Sequence, residues 1–212
     1  MAEDRLKLWG VLFQRALLLI DSARDSGATL DSWSFGGGTV LMRRHHHRFS
    51  KDIDIFVLDP QCLPYLSPRL NDKAESLTSD YVEQAEFLKL RFPEGEIDFV
   101  APAPLTENAT IIETLFGRKV QVETSSEIIA KKVWHRGNQF TARDIFDLAM
   151  VAEKEPEALW KIQPILRGRR DVILERIASQ EEALIETFAA LEVLDYRRSF
   201  DECVELTKKA LG

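Results

Sequence analysis

Cysteine is scarce: the 212-residue chain carries Cys62 and Cys203 and no others. They lie far apart, in no metal or redox spacing, which excludes a disulfide-stapled scaffold and points to a reducing, cytoplasmic compartment. Long apolar runs are missing as well. No stretch approaches the ~20 residues of a membrane-spanning helix, and Ala16 to Ile20 reads as part of a shorter helix, so no membrane association is expected. Met1-Ala2-Glu3-Asp4-Arg5 lacks the basic start and small-residue cleavage site of a secretory signal. Net positive charge is absent too. A formal charge of −7 argues against indiscriminate nucleic-acid binding, while leaving room for a local basic patch. There is no internal repeat or low-complexity run. The 45% hydrophobic and 30% charged residues describe an ordinary globular chain, long enough for one large domain or two small ones.

The most informative residues lie between 35 and 55. Phe35-Gly36-Gly37-Gly38-Thr39-Val40-Leu41 forms a tight glycine turn able to approach phosphate. After a basic stretch comes Arg48-Phe49-Ser50-Lys51-Asp52-Ile53-Asp54-Ile55. Alternation along a strand puts Asp52 and Asp54 on one face and Ile53 and Ile55 on the other. Two carboxylates aimed at one spot repel unless a cation lies between them. A hard divalent ion carrying nucleotide phosphates supplies that cation. The residues therefore point to metal-dependent nucleotidyl transfer. A glycine run is often only a turn, but charge inside an apolar strand is costly without a partner.

Around this motif the spacing predicts an α+β organisation. Leu6, Trp9, Phe13, Ala16, Leu17 and Ile20 fall at helical spacing, with a stop at Gly27. A strand over 33–35, a glycine turn, a helix from Val40 to about His46 and a buried strand from Asp52 to Leu58 follow. Residues 60–79 read as helix and loop. Glu86–Phe92 and Glu96–Val100 alternate around Pro93-Glu94-Gly95, a β-hairpin that delivers a third carboxylate, Asp98. Two more strands are expected to flank Gly117.

After residue 124 the signals are helical only. Thr124-Ser125-Ser126-Glu127 and Thr141-Ala142-Arg143-Asp144 read as capping boxes. Pro156 begins another helix. One long helix then carries Ile173, Ile177, Leu184, Phe188 and Leu191 on a single stripe, and Ser199-Phe200-Asp201-Glu202 caps the last. The expected division is 1–124, an α+β core, and 125–212, a C-terminal α-helical domain completing the active-site cleft.

Gly37-Gly38-Thr39-x-Leu41 followed by Arg48-x-Ser50-x-Asp52-Ile53-Asp54 resembles the first motif of the AbiEii/AbiGii toxin family. That family belongs to the nucleotidyltransferase superfamily shared with DNA polymerase beta. Ala130-Lys131-Lys132-Val133 and Arg143-Asp144-Ile145-Phe146-Asp147-Leu148 are similar to its third and fourth motifs. The resemblance implies a nucleotidyltransferase-like mixed β-sheet core with flanking helices. It implies that Gly37, Gly38, Thr39 and Ser50 hold nucleotide phosphates at a helix start, and that Asp52 and Asp54 bind Mg2+ or Mn2+. Asp98 would complete the metal trio, as base or second-metal ligand. Lys132, two residues after Ala130, would offset phosphate charge, and Asp144 would hold that lysine or contact base or ribose. The substrate implied is an NTP, the acceptor an RNA such as tRNA, and the partner a cognate antitoxin. A small-molecule acceptor and a catalytically silent nucleotide-binding or interaction module are the alternatives. The retained carboxylate trio argues against silence.

Each of these residues has a plainer reading. Asp98 suits the solvated face of a hairpin, Asp144 suits an N3 capping position, and Lys132 suits an exposed helix face. Consecutive histidines on a helix point about 100° apart, so His45-His46-His47 do not chelate one ion together. With Arg43, Arg44, Arg48 and Lys51 they are expected to form a cationic rim near the active site. Arg167-Gly168-Arg169-Arg170 reads as a helix junction with room for a second phosphate contact.

Overall fold

A computed structural model describes residues 6–212, and the reading of the first five residues lies outside them. The chain groups into two compact units. One is built from the residues up to Val40, Ser50–Ala103 and Thr110–Glu123; the other from Leu41–Phe49, Pro104–Ala109 and Thr124–Gly212.

The first unit holds a seven-stranded sheet: β1 (Trp33–Gly36), β2 (Ile53–Val57), β3 (Tyr81–Glu83), β4 (Phe87–Phe92), β5 (Gly95–Val100), β6 (Thr110–Leu115) and β7 (Arg118–Glu123). Their order is β3-β4-β5-β2-β1-β7-β6. β2 runs parallel to β5 and β1 parallel to β7, while the other neighbours are antiparallel, so the sheet is mixed. Helix α1 (Leu8–Asp25) packs on β2 and β5. It ends at Gly27, whose φ of 92° suits a residue without a Cβ. Its inner stripe of Leu12, Phe13, Ala16 and Ile20 is fully buried, and the Phe13 and Phe35 rings meet with centroids 4.7 Å apart. Each such large apolar side chain contributes roughly 1.5–3 kcal/mol by leaving water. Strand alternation does the rest. Ile53, Ile55, Leu88, Leu90, Ile97 and Phe99 are buried on the α1 side, leaving Asp54, Lys89 and Asp98 half-buried on the opposite face.

Several boundaries differ from those read in the sequence. β1 continues to Gly36 and α2 (Gly37–His45) starts at once, so Gly37, Gly38 and Thr39 are the first helical turn rather than a separate turn. β2 is shorter than expected, with Asp52 just before it and Leu58 exposed beyond it, because its pairing with β1 ends at Trp33↔Val57. The 60–79 region forms a 3-10 turn at Pro60–Cys62 and the short helices α3 (Leu63–Leu66) and α4 (Asp72–Leu77). β3 is three residues long, too short to show a period.

The second unit contains α5 (Ser125–Arg136), α6 (Ala142–Lys154), α7 (Pro156–Trp160), α8 (Gln163–Ser179), α9 (Glu181–Ala189) and α10 (Phe200–Leu211). The Thr141 and Ser199 capping boxes are complete. The Thr124 box is only half formed: Thr124 accepts from the Glu127 amide, but the Glu127 carboxylate turns elsewhere. It is fully buried and takes the backbone amides of Leu105 and Thr106, with 2.9 Å to the latter. That anchors the 104–109 segment to this unit. The single long helix breaks at Gln180 (φ −127°), with Glu181 and Glu182 favouring the positive start of α9, and Leu191 lies past its end. α6 packs on α10, and Phe146 meets Phe188 and Tyr196 edge-on. Among the described residues no helix is long and apolar enough to cross a membrane.

Candidate functional site

In the sheet unit, register gathers the charged groups into one row. Gly36 on β1 pairs with Asp54 on β2, Asp54 with Asp98 on β5, and Asp98 with Lys89 on β4. Directly paired residues project to the same side, so Asp54, Asp98 and Lys89 share the face opposite α1. Glu123, at the end of β7, joins the row from the other side: it is buried, accepts from the Ser34 hydroxyl at 3.3 Å, and lies where a Gly36 side chain would go. Asp52 stands one step earlier, where its carboxylate accepts the Glu96 amide at 3.0 Å.

Gly37 connects the glycine turn to this row. Its φ is 72°, and any Cβ there would collide with the Asp54 carboxylate. The backbone therefore approaches the acid as closely as glycine permits. Thr39 behaves differently from expectation. Its side chain is fully buried, and its hydroxyl lies 2.6 Å from the Asp52 carbonyl, to which it donates, and 3.0 Å from the Ser50 hydroxyl. Thr39 and Ser50 thus tie α2 to the residues just before β2.

Lys89 places its ammonium 2.9 Å from both Asp98 oxygens, donates to Oδ2, and also meets Glu96. Burial pushes the Asp98 carboxyl above its ordinary pKa even so; Lys89 opposes the rise, while the charges of Glu96 and Asp52 add to it. Asp98 Oδ1 is buried and accepts no hydrogen bond. This donor set is all hard carboxylate oxygen, which fits Mg2+ or Mn2+ and not a soft metal. Among the described residues no three His, Cys, Asp or Glu groups stand close enough to hold an ion alone. The expected trio of Asp52, Asp54 and Asp98 is thus not gathered into one ligand set among the described residues.

The helical unit carries a second charged cluster, centred on Asp147. Arg48 grips its carboxylate with two bonds, Nε to Oδ1 at 2.7 Å and Nη2 to Oδ2 at 2.8 Å. His47 Nε2 lies 2.8 Å from Oδ1 and Lys132 Nζ 3.0 Å from Oδ2. Lys132 also donates to Asp144 at 2.6 Å, and Asp144 closes the capping box with Thr141. Both carboxylates are fully buried. Burial alone would raise their pKa values, but Lys132 and Arg136 beside Asp144, and Arg48 and Lys132 beside Asp147, outweigh it and hold both below the usual carboxylate range. His47 is lowered, since burial exceeds the pull of Asp147.

The expected cationic rim is corrected here. Arg48 is 3% exposed and His47 fully buried, because both serve Asp147. His45 pairs with Glu155 instead, at 2.6 Å. Asp144 both caps α6 and holds Lys132, and Lys132, not Lys131, is the lysine that reaches it; Lys131 faces Glu127 at 3.4 Å. Sequence reasoning gave no separate role to Asp147, Lys89 or Glu123. A charge amid Ile145, Phe146, Leu148, Ala149 and Met150 was the available signal for the first. Hairpin pairing opposite Asp98 was the signal for the second.

The fold is shared with a known nucleotidyltransferase toxin. The structure is similar to MenT4, a nucleotidyltransferase toxin from Mycobacterium tuberculosis H37Rv, with a TM-score of 0.56 at 18% identity over 98% of this chain and 83% of that one. It is also similar to JHP933 from Helicobacter pylori, with a TM-score of 0.51 at 14% identity over 93% and 88% of the two chains. No curated relative matches the sequence. The family model described as the nucleotidyl transferase AbiEii toxin of type IV toxin–antitoxin systems matches residues 24–210. The chain belongs to the AbiEii nucleotidyltransferase toxin family.

Proposed function

We propose that this toxin-family nucleotidyltransferase moves a nucleoside monophosphate from an NTP to a hydroxyl of an RNA, tRNA included, with Mg2+ or Mn2+, and that a cognate antitoxin restrains it in the cytoplasm. One observation carries the reading: Asp54 and Asp98 are direct partners on one face of the sheet, with the Gly37 backbone against Asp54. Asp52 and Asp54 are the residues for the cation, which when bound neutralises charge on the reacting phosphates. The Gly37–Gly38 amides, at the positive start of α2, receive the triphosphate. Thr39 and Ser50 act one step back, by fixing Asp52. Asp98 takes the proton of the attacking hydroxyl, as its raised pKa favours. A new bond from that oxygen to the α-phosphorus forms as the α–β phosphoanhydride breaks, and pyrophosphate leaves. Lys132, oriented by Asp144 and Asp147 with one N–H not used by them, is the residue of the helical unit proposed to bind nucleotide.

The test is incubation with α-labelled NTPs, Mg2+ and total RNA. Label should enter RNA with the parent protein and not with Asp54→Ala. Label recovered only in a small molecule, or equally with both proteins, would overturn the reading.

A further inference from the structure

The helical unit has a further feature beside its charged cluster, with which it shares Arg48. A cavity of about 500 Å3 is lined by Arg48, Arg143 and Arg176 together with Phe49, Leu184 and Leu191. Its size is that of a small-ligand pocket, with an apolar wall and convergent cations. The charge of Arg48 is met by Asp147, whereas Arg143 and Arg176 form no ion pair among the described residues. One carboxylate, Glu192, also lines the cavity.

Arg176 continues into a track. Arg169 lies two turns earlier on the same side of α8, about 10 Å away at 1.5 Å per residue. Between them Val172 packs beside Gly137. The Arg169 guanidinium stacks 4.5 Å over the Trp134 ring, and Trp134 is 45% exposed. Arg169 Nε is buried with no acceptor among the described residues. In a chain of net charge −7, a line of guanidiniums ending on an exposed indole is out of keeping with a merely solvated surface.

We propose that this track binds the single-stranded end of an RNA. One nucleotide enters the cavity, its phosphate on Arg143 and Arg176 and its base against Phe49, Leu184 and Leu191. A neighbouring base stacks on Trp134. The inference rests on the reading of RNA as acceptor and assigns where this protein would hold it. Guanidinium forks match phosphate, and aromatic faces take bases of any identity. A duplex keeps its bases stacked inside and offers none to a cavity, so an unpaired end is the fitting partner.

The test is fluorescence anisotropy of a labelled single-stranded RNA of about eight nucleotides with the full chain. Parent and Asp54→Ala should bind alike. Arg143→Glu/Arg176→Glu should weaken binding at least tenfold and lower the slope of log K against log salt by about 0.7, the loss of one neutralised phosphate. Trp134→Ala should weaken binding about tenfold, with Trp134→Phe largely restoring it. Melting temperatures within a degree or two of the parent would show that the variants are folded. Unchanged affinity in the arginine variant, or a blunt duplex bound as tightly as the single strand, would overturn the track. Binding through the track with no label transferred to any RNA would instead overturn the acceptor reading and leave the track standing.

Discussion

Lys89 and Asp98 face each other across the β4–β5 hairpin, with the ammonium 2.9 Å from both carboxylate oxygens. The pairing gives a half-buried acid the cation it needs, yet it also sets a fixed positive charge beside the proposed metal site. A divalent ion arriving at Asp52 and Asp54 must bind against that field. Lys89→Met should therefore tighten Mn2+ binding, by about tenfold at low salt and less as salt screens the charge. Calorimetric titration of the protein with a non-hydrolysable NTP analogue present measures this. Equal affinity in variant and parent would mean that the ammonium does not compete.

Gly37→Ala separates the turn from the acid it touches. A Cβ at this left-handed position is strained and meets the Asp54 carboxylate. A loss of about 1–2 kcal/mol in stability is expected from the backbone alone. Transfer should fall much further than stability, because Asp54 must move. Activity retained in a folded Gly37→Ala protein would show that the close approach is not required.

The sheet unit was largely legible in the sequence. Alternation at Leu88-Lys89-Leu90 and Ile97-Asp98-Phe99 is a local signal, and so are the Thr141 and Ser199 capping boxes. What stayed hidden depended on partners distant in sequence. Glu127 looks like the second half of a capping box, but buried amides at Leu105 and Thr106 compete for it and win. His47 and Arg48 look like part of a solvated basic run, until a fold brings Asp147 to them from a hundred residues away. The break at Gln180 has no glycine or proline to announce it. Its trace is the acid pair Glu181-Glu182, which fits a helix start as readily as a helix surface.

Asp147→Ala should be among the most destabilising single changes in the helical unit. It removes the carboxylate that Arg48 grips with two bonds and leaves Lys132 with one buried carboxylate. Breaking a buried charge pair in this way costs about 3–5 kcal/mol. Arg48→Met/Asp147→Leu should cost less than the sum of its parts, since neither charge is then left alone. Urea unfolding measures both, and strict additivity would show that the residues are not energetically coupled.

Lys132→Ala should weaken nucleotide-induced thermal stabilisation and turnover more than Lys131→Ala does. Lys132 sits on Asp144 and Asp147 with a donor to spare, while Lys131 is directed to Glu127. A loss of about tenfold or more in nucleotide affinity is expected for a group that offsets phosphate charge. If Lys131→Ala is the more damaging of the two for nucleotide, the assignment of Lys132 fails.

His47 gives the acid limb of stability a defined origin. Burial lowers its pKa from 6.5, more than the neighbouring Asp147 raises it, so the native ring stays neutral where the unfolded chain begins to take up a proton. The stability it contributes is present above about pH 6.5 and is lost as pH falls from there toward the lower folded value. The slope from one proton is at most about 1.4 kcal/mol per pH unit. His47→Gln retains a donor for Asp147 but cannot titrate. Its urea midpoint should therefore change less than the parent's between pH 7 and pH 5.5, above the range where the depressed Asp144 and Asp147 carboxyls protonate. Identical pH slopes in parent and variant would remove His47 as the source.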